Sequence, residues 1–170
     1  MSVLSPIRSS ALALTLTAAL APATATAAPA GPDGRTTLVS VQAATHPADA
    51  SHPKAYDRIV FTFTGDLPYS WKVTKVKQVS QYGSDEPIKL KGRDLLEVQL
   101  HGATAHDEET GKPTFQPGRR AVELGNLREY VFTGDHAALT TFGLGLKKYT
   151  KVTSFKLAGP NRVVLDIPTS

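Results

Sequence analysis

The sequence predicts an all-β protein: a single-domain β-sandwich of about eight short strands, preceded by a cleaved signal peptide. Three observations carry that prediction. Residues 55–64 (AYDRIVFTFT) set Ile59, Phe61 and Phe63 against Val60, Thr62 and Thr64. A period of two in β-branched and aromatic residues fits a strand lying half in a core and half in water. Residues 160–167 (PNRVVLDI) repeat the pattern, with Val163, Leu165 and Ile167 on one face and Arg162, Val164 and Asp166 on the other. Between these stretches, turn signals recur roughly every 8 to 12 residues with no convincing long helix, the spacing of a sandwich or barrel.

Taken in order, residues 1–27 read as an export signal. Arg8 supplies the basic start, residues 11–21 (ALALTLTAALA) the short apolar stretch, and Ala25-Thr26-Ala27 the small-residue cleavage pattern. Cleavage after Ala27 keeps Pro29 off the first mature position; Ala25 and Ala28 are the alternative sites. The apolar stretch is shorter than the ~20 residues that span a bilayer, and no later stretch approaches that length. The mature chain, about 140 residues, is one domain's worth. With no cysteine for a lipid anchor or a disulfide, it must depend on its core. The expected address is secreted and extracellular, with association to the cell wall.

Residues 28–37, opening on the Pro/Gly-rich APAGPDGR, read as a flexible tether into a first strand at 36–43, and the β domain is placed at 38–168. Residues 45–54, with His46-Pro47 and His52-Pro53, read as loop, because a residue before proline is pushed out of helical geometry. After the 55–64 strand comes a turn at 65–68 (GDLP). Residues 69–82 (YSWKVTKVKQVSQY) read as a second long strand. The three-residue spacing of Val73, Val76 and Val79 implies a bulge or kink, with a helix as the alternative. A short strand is expected at 88–91 and a clearer one at 95–100, where Leu96, Val98 and Leu100 alternate with Glu97 and Gln99. The polar 105–120 stretch reads as an exposed flap, followed by strands at 122–132, 138–146 and 149–157. Gly143 and Gly145 inside a strand pattern point to close backbone approach or a bulge. VFTFTGD at 60–66 is echoed by VFTGD at 131–135, which reads as two strands ending in the same kind of turn.

The two outer strands also carry a family pattern. His52-x-x-x-Tyr56-Asp57-Arg58-Ile59-Val60-Phe61-x-Phe63 near the start and Gly159-Pro160-x-Arg162-Val163-Val164-x-Asp166-Ile167 at the end resemble the AMIN-like domains of secreted actinobacterial proteins and lipoproteins. These are relatives of the AMIN domain that accompanies cell-wall amidases and some secretion pores. The resemblance covers roughly residues 38–167. It implies a small β-sandwich with a non-catalytic binding role at the cell envelope, with peptidoglycan or another wall glycan as ligand.

Residue chemistry is consistent with binding rather than catalysis. The chain carries 19 Lys+Arg against 15 Asp+Glu, net +4; Arg8 leaves with the signal. A modest positive excess favours anionic wall polymers by long-range attraction and is too small to argue for nucleic acid. The five histidines form no close metal pair, and His106-Asp107-Glu108-Glu109 reads as a solvated acidic loop, so no metal and no cofactor are expected. No G-x-S-x-G elbow occurs, and Asp57 and Asp166 each have an arginine neighbour in sequence that holds them ionised and structural. Asp57, Arg58, Arg162 and Asp166 are expected to form ion pairs between the first and last strands. The alternative is that Arg58 and Arg162 present guanidinium forks to wall carboxylates. Tyr69 and Trp71 are candidates for stacking on a saccharide, with Trp71 also a candidate for the core. Lys75, with Lys72 and Lys77, forms either a basic strip or a charged edge that discourages strand pairing. The expected partner is a wall glycan or, through strand-edge pairing, an envelope protein.

Overall fold

Alternation in the two amphipathic stretches decides the layering. In the computed structural model, which describes residues 36–84 and 86–169, Ile59, Phe61 and Phe63 point inward beside Val163, Leu165 and Ile167, all of them buried. The expected signal peptide (1–27) and residues 28–35 of the tether lie outside the described residues. Thr36 and Thr37, expected at the end of the tether, already belong to the first strand.

Regular structure among the described residues is entirely β: β1 Thr36–His46, β2 Tyr56–Thr64, β3 Ser70–Val76, β4 Val79–Ser80, β5 Pro87–Ile88, β6 Asp94–His101, β7 Ala103–Thr104, β8 Arg119–Ala121, β9 Leu127–His136, β10 Leu139–Leu146, β11 Thr153–Leu157 and β12 Asn161–Pro168. Twelve strands replace the expected eight because β4, β5, β7 and β8 are two or three residues long, too short to show a period. The first sheet runs β11-β12-β2-β1-β7, the second β3-β6-β10-β9-β8, and β4-β5 form a small ribbon of their own. Between the two five-stranded sheets lies one core, with Leu38, Ile59, Phe61 and Phe63 meeting Leu96, Val98, Leu100, Phe142 and Leu144. Two bonds fix which edges face each other. Trp71 Nε1 of β3 donates to Ser154 Oγ of β11 at 3.0 Å, and the Tyr130 hydroxyl of β9 donates to the Val41 carbonyl of β1 at 3.3 Å.

Several expected elements are redrawn by packing between distant residues. The single long strand expected at 69–82 breaks after Val76, and Val79 and Ser80 pair with Ile88 and Pro87 instead. The ribbon lies over β10, where a Cβ on Gly143 would meet Val79 Cγ1 at 2.5 Å. On Gly145 it would come within van der Waals overlap of the Lys91 carbonyl. The close approach expected at these glycines is therefore real, and it also breaks the strand. The 105–120 flap is tied down, with Ala105 buried, Phe115 against Phe132 and Phe142, and Thr114 Oγ1 donating to the Leu38 carbonyl at 2.6 Å. The strand expected at 122–132 starts only at Leu127, because residues 122–126 are the connection from β8 to β9, with Glu123 at φ 48°. Gly65 and Asp66 turn, whereas Gly134 and Asp135 sit inside β9 at a register shift, so the two VFT…GD stretches do not end alike.

Candidate functional site

The register of β2 against β12 sets Arg58 directly opposite Asp166 on the outer face of the first sheet. Arg58 Nε donates to Asp166 Oδ1 at 2.7 Å and Nη2 to Oδ2 at 2.8 Å, a two-pronged pair whose carboxylate is almost wholly buried. That bond raises the Arg58 pKa, so the guanidinium is always charged. Its carbon lies 5.2 Å from the Tyr56 ring centre and 5.4 Å from that of Phe155. The loop between β1 and β2 folds back over this pair. His52 Nε2 stands 3.1 Å from Asp166 Oδ2, and His52 Nδ1 stands 3.0 Å from Asp49 Oδ1. Both contacts are hydrogen bonds only when the ring carries both protons, since ionised carboxylates accept and do not donate. Asp49 also accepts the Tyr56 hydroxyl at 2.9 Å, and the His52 bond first, then this one, hold its pKa down at about 2. Tyr56 stacks on both His52 and His46, at 3.9 and 5.2 Å between ring centres.

Beside this network runs a groove of about 680 Å³ whose lining includes Arg58, Arg162 and Arg120, with His46 and Tyr130. It shares Val41, Gln42, Arg120 and Tyr130 with an adjoining cleft of about 360 Å³ along β1. Each arginine keeps N–H groups without a partner among the described residues. Arg58 retains Nη1, Arg162 uses only Nε, on the Pro160 carbonyl at 3.2 Å, and Arg120 uses only Nη2, on Gln116 Oε1 at 2.6 Å. Three forks converging on one depression can take carboxylates or phosphates in paired hydrogen bonds.

A family model for the AMIN-like domain matches residues 33–169 of the 170. The chain belongs to the AMIN-like domain family. No curated protein and no solved structure matches it. In this AMIN-like domain His52, Tyr56, Arg58 and Asp166 of the sequence pattern meet in the outer-face network, whereas Asp57 and Arg162 of the same pattern do not.

The remaining expected site residues separate from that face. Asp57 and Arg162 form no ion pair with each other or with the Arg58–Asp166 pair. Alternation turns Asp57 inward while Arg162 points outward, and Arg162 sits opposite Thr62, four residues from Asp166 along β12. Fully buried, Asp57 accepts the backbone N–H groups of Gly125 (3.2 Å), Asn126 (2.5 Å) and Leu127 (2.7 Å) and the Thr45 hydroxyl (2.7 Å). Asn126 continues the lock, its amide donating to the Pro168 carbonyl and its Oδ1 accepting Lys148 N–H. Tyr69, Trp71 and Lys75 belong to β3 or the turn before it, at the opposite edge of the sandwich from the arginine groove. Trp71 is half-buried against the core, Tyr69 is 80% exposed, and Lys75 pairs with Asp94 at 2.7 Å under the Tyr149 ring.

The AMIN-like domain holds a second cleft, of about 600 Å³, lined by Tyr82, His106, Asp135 and His136. Asp135 accepts the Ala105 N–H and faces His106 Nδ1, both at 2.5 Å, so the carboxylate orients the ring. The Thr140 hydroxyl, 3.5 Å from Asp135 Oδ1, is buried and donates to the Ala103 carbonyl at 2.8 Å. Among the described residues no group of three or more His, Asp or Glu is arranged to hold a metal ion. Sequence reasoning missed Arg120, which lies in a polar stretch with nothing in its spacing to set it apart.

Proposed function

We propose that this domain is a secreted, non-catalytic binding module of the cell envelope. Its ligand is a wall polymer, peptidoglycan or another wall glycan carrying acidic groups, held reversibly at the arginine groove. Family membership supports the envelope setting. The observation that carries the ligand assignment is the convergence of Arg58, Arg120 and Arg162 on one groove with N–H groups to spare. The +3 charge left once Arg8 is removed, 18 Lys+Arg against 15 Asp+Glu, adds long-range attraction. Because the rim is solvated, binding is salt-sensitive: the screening length falls from ~10 Å at 0.1 M to ~3 Å at 1 M ionic strength. Sedimentation of the mature protein with purified sacculi at low salt tests this. Retention that is lost at high salt and in Arg120→Ala with Arg162→Ala is expected; failure to sediment at low salt overturns it. The second reading, pairing of an envelope protein's strand along a sheet edge, is favoured by one observation, the open side of β1.

A further inference from the structure

We infer that the groove takes an extended peptide bearing free carboxylates, added as a strand along β1 between Arg58, Arg162 and Arg120. The inference rests on the wall-polymer reading and assigns the contact to the peptide portions of that polymer instead of its sugars.

β7 pairs only with Thr36 and Thr37 of β1, and among the described residues no strand pairs with the same side of β1 beyond them. In an antiparallel strand, alternate residues turn their backbone groups to opposite sides. The Val41 carbonyl faces away from β2, since the Tyr130 hydroxyl reaches it from β9. Val41, Ala43 and Thr45 therefore offer N–H and C=O groups to the groove, and the Val41 carbonyl has a second lone pair free for a peptide N–H.

The sheet edges at β3, β11 and β8 are defended by charge. β3 carries Lys72 and Lys75 with Lys77 just beyond it, β11 carries Lys156, and β8 carries Arg119 and Arg120. Residues 41–45 (VQAAT) have neither charge nor proline, the usual means of discouraging a foreign strand. Ala43 and Ala44 leave room for close backbone approach. At about 3.3 Å per residue the five positions match an extended segment of four or five residues. Main-chain bonds then supply affinity while the flanking guanidinium groups choose carboxylate-bearing peptides. Pairing of two copies through β1 would bring like charges together on both banks, which disfavours self-association as the use of this edge.

The test compares binding of the mature protein to intact sacculi, to glycan strands stripped of peptide, and to a free four-residue peptide with carboxylates either free or amidated. Backbone amide shifts are recorded by NMR. Expected results are retention on sacculi and about tenfold weaker binding to stripped glycan. The free peptide should compete, the amidated one should do so about tenfold less well, and shifts should centre on Val41, Ala43 and Thr45. Equal binding to stripped glycan overturns this inference and leaves the wall-polymer reading standing; no retention on sacculi ends both. Shifts at 41–45 that grow with protein concentration alone identify a second copy as the occupant and also overturn it. Arg120→Glu, on the exposed rim, should abolish competition by the free peptide with an unchanged melting temperature, and full competition in that variant counts against the arginines.

Discussion

Replacing Asp57 by asparagine removes a negative charge that no cation among the described residues pairs with and that four donors surround. The donors are the N–H groups of Gly125, Asn126 and Leu127 and the Thr45 hydroxyl, at 2.5 to 3.2 Å. In the best arrangement the amide oxygen takes the place of Oδ2 and keeps Asn126 and Leu127. The amide nitrogen then faces the Gly125 N–H, donor against donor, while the Thr45 hydroxyl rotates to accept. One buried N–H is left unpaired and two bonds lose their ionic character, at about 1 to 3 kcal/mol for the first and a fraction of that for the others. We expect a loss of about 2 to 3 kcal/mol for Asp57→Asn and about 4 kcal/mol or more for Asp57→Ala, which strands three backbone donors. Trp71, the only tryptophan, reports unfolding in urea, and far-ultraviolet dichroism gives a second probe. The expected signature is a lower midpoint with an unchanged slope. A loss under about 0.5 kcal/mol would refute the claim that this carboxylate holds the β8–β9 connection to β2. So would a stable Asp57→Asn protein that no longer sediments with sacculi where the wild type does, since that would move Asp57 from the fold to the site.

Arg58→Lys keeps the charge and loses the fork, so chemical denaturation should show about 1 to 2 kcal/mol less stability; an unchanged midpoint would mean the Asp166 pair contributes only a point charge. Asp49 titrates lower in the folded protein than its usual 3.8, at about 2, so its contribution is complete above pH 4 to 5 and disappears as pH falls towards 2. Stability curves of wild type and Asp49→Asn should therefore converge near pH 2 and separate above pH 4; a constant gap across that range contradicts the assignment. Gly145→Ala directs a methyl group at the Lys91 carbonyl, and because that atom belongs to backbone held by Lys91 N–H to Glu129 and Arg93 N–H to Leu146, the strap must shift. A melting experiment should register a loss of about 2 to 3 kcal/mol, and a neutral result would show the strap to be compliant.

The parts of this fold that the sequence discloses are those written in local periodicity. Ile59, Phe61 and Phe63, and Val163, Leu165 and Ile167, alternate without interruption because each strand has one face in the core. Arg58 and Asp166 could be matched because both lie on the outward face of those strands. Asp57 could not be assigned correctly: its three backbone partners lie 68 to 70 residues away, at the end of the β8–β9 connection and the start of β9, where nothing marks a buried carboxylate's site. Phe115 and Arg120 were hidden for a related reason. A single aromatic and a single arginine in a polar, proline-containing stretch have no repeat to stand out from; Phe115 is placed by Phe132 and Phe142, and Arg120 by pairing opposite Tyr130 in the same sheet. The break after Val76 follows from Gly143 and Gly145, whose missing side chains make room for the ribbon of another segment.

The same distinction bears on the binding proposed for the arginine groove. Arg58 is bound by both oxygens of Asp166, so much of the Arg58 charge is answered within the fold. Arg162 and Arg120 touch only a carbonyl and an amide oxygen, and neither has a carboxylate within reach among the described residues. The potential that an acidic ligand meets therefore comes chiefly from Arg162 on the face and Arg120 on the rim. Arg58, clamped between Asp166 and two aromatic rings, supplies a donor fixed in direction. A rigid donor flanked by two free charges suits recognition of carboxylates at set spacing, because the ordering cost for one of the three contacts is already met by the fold.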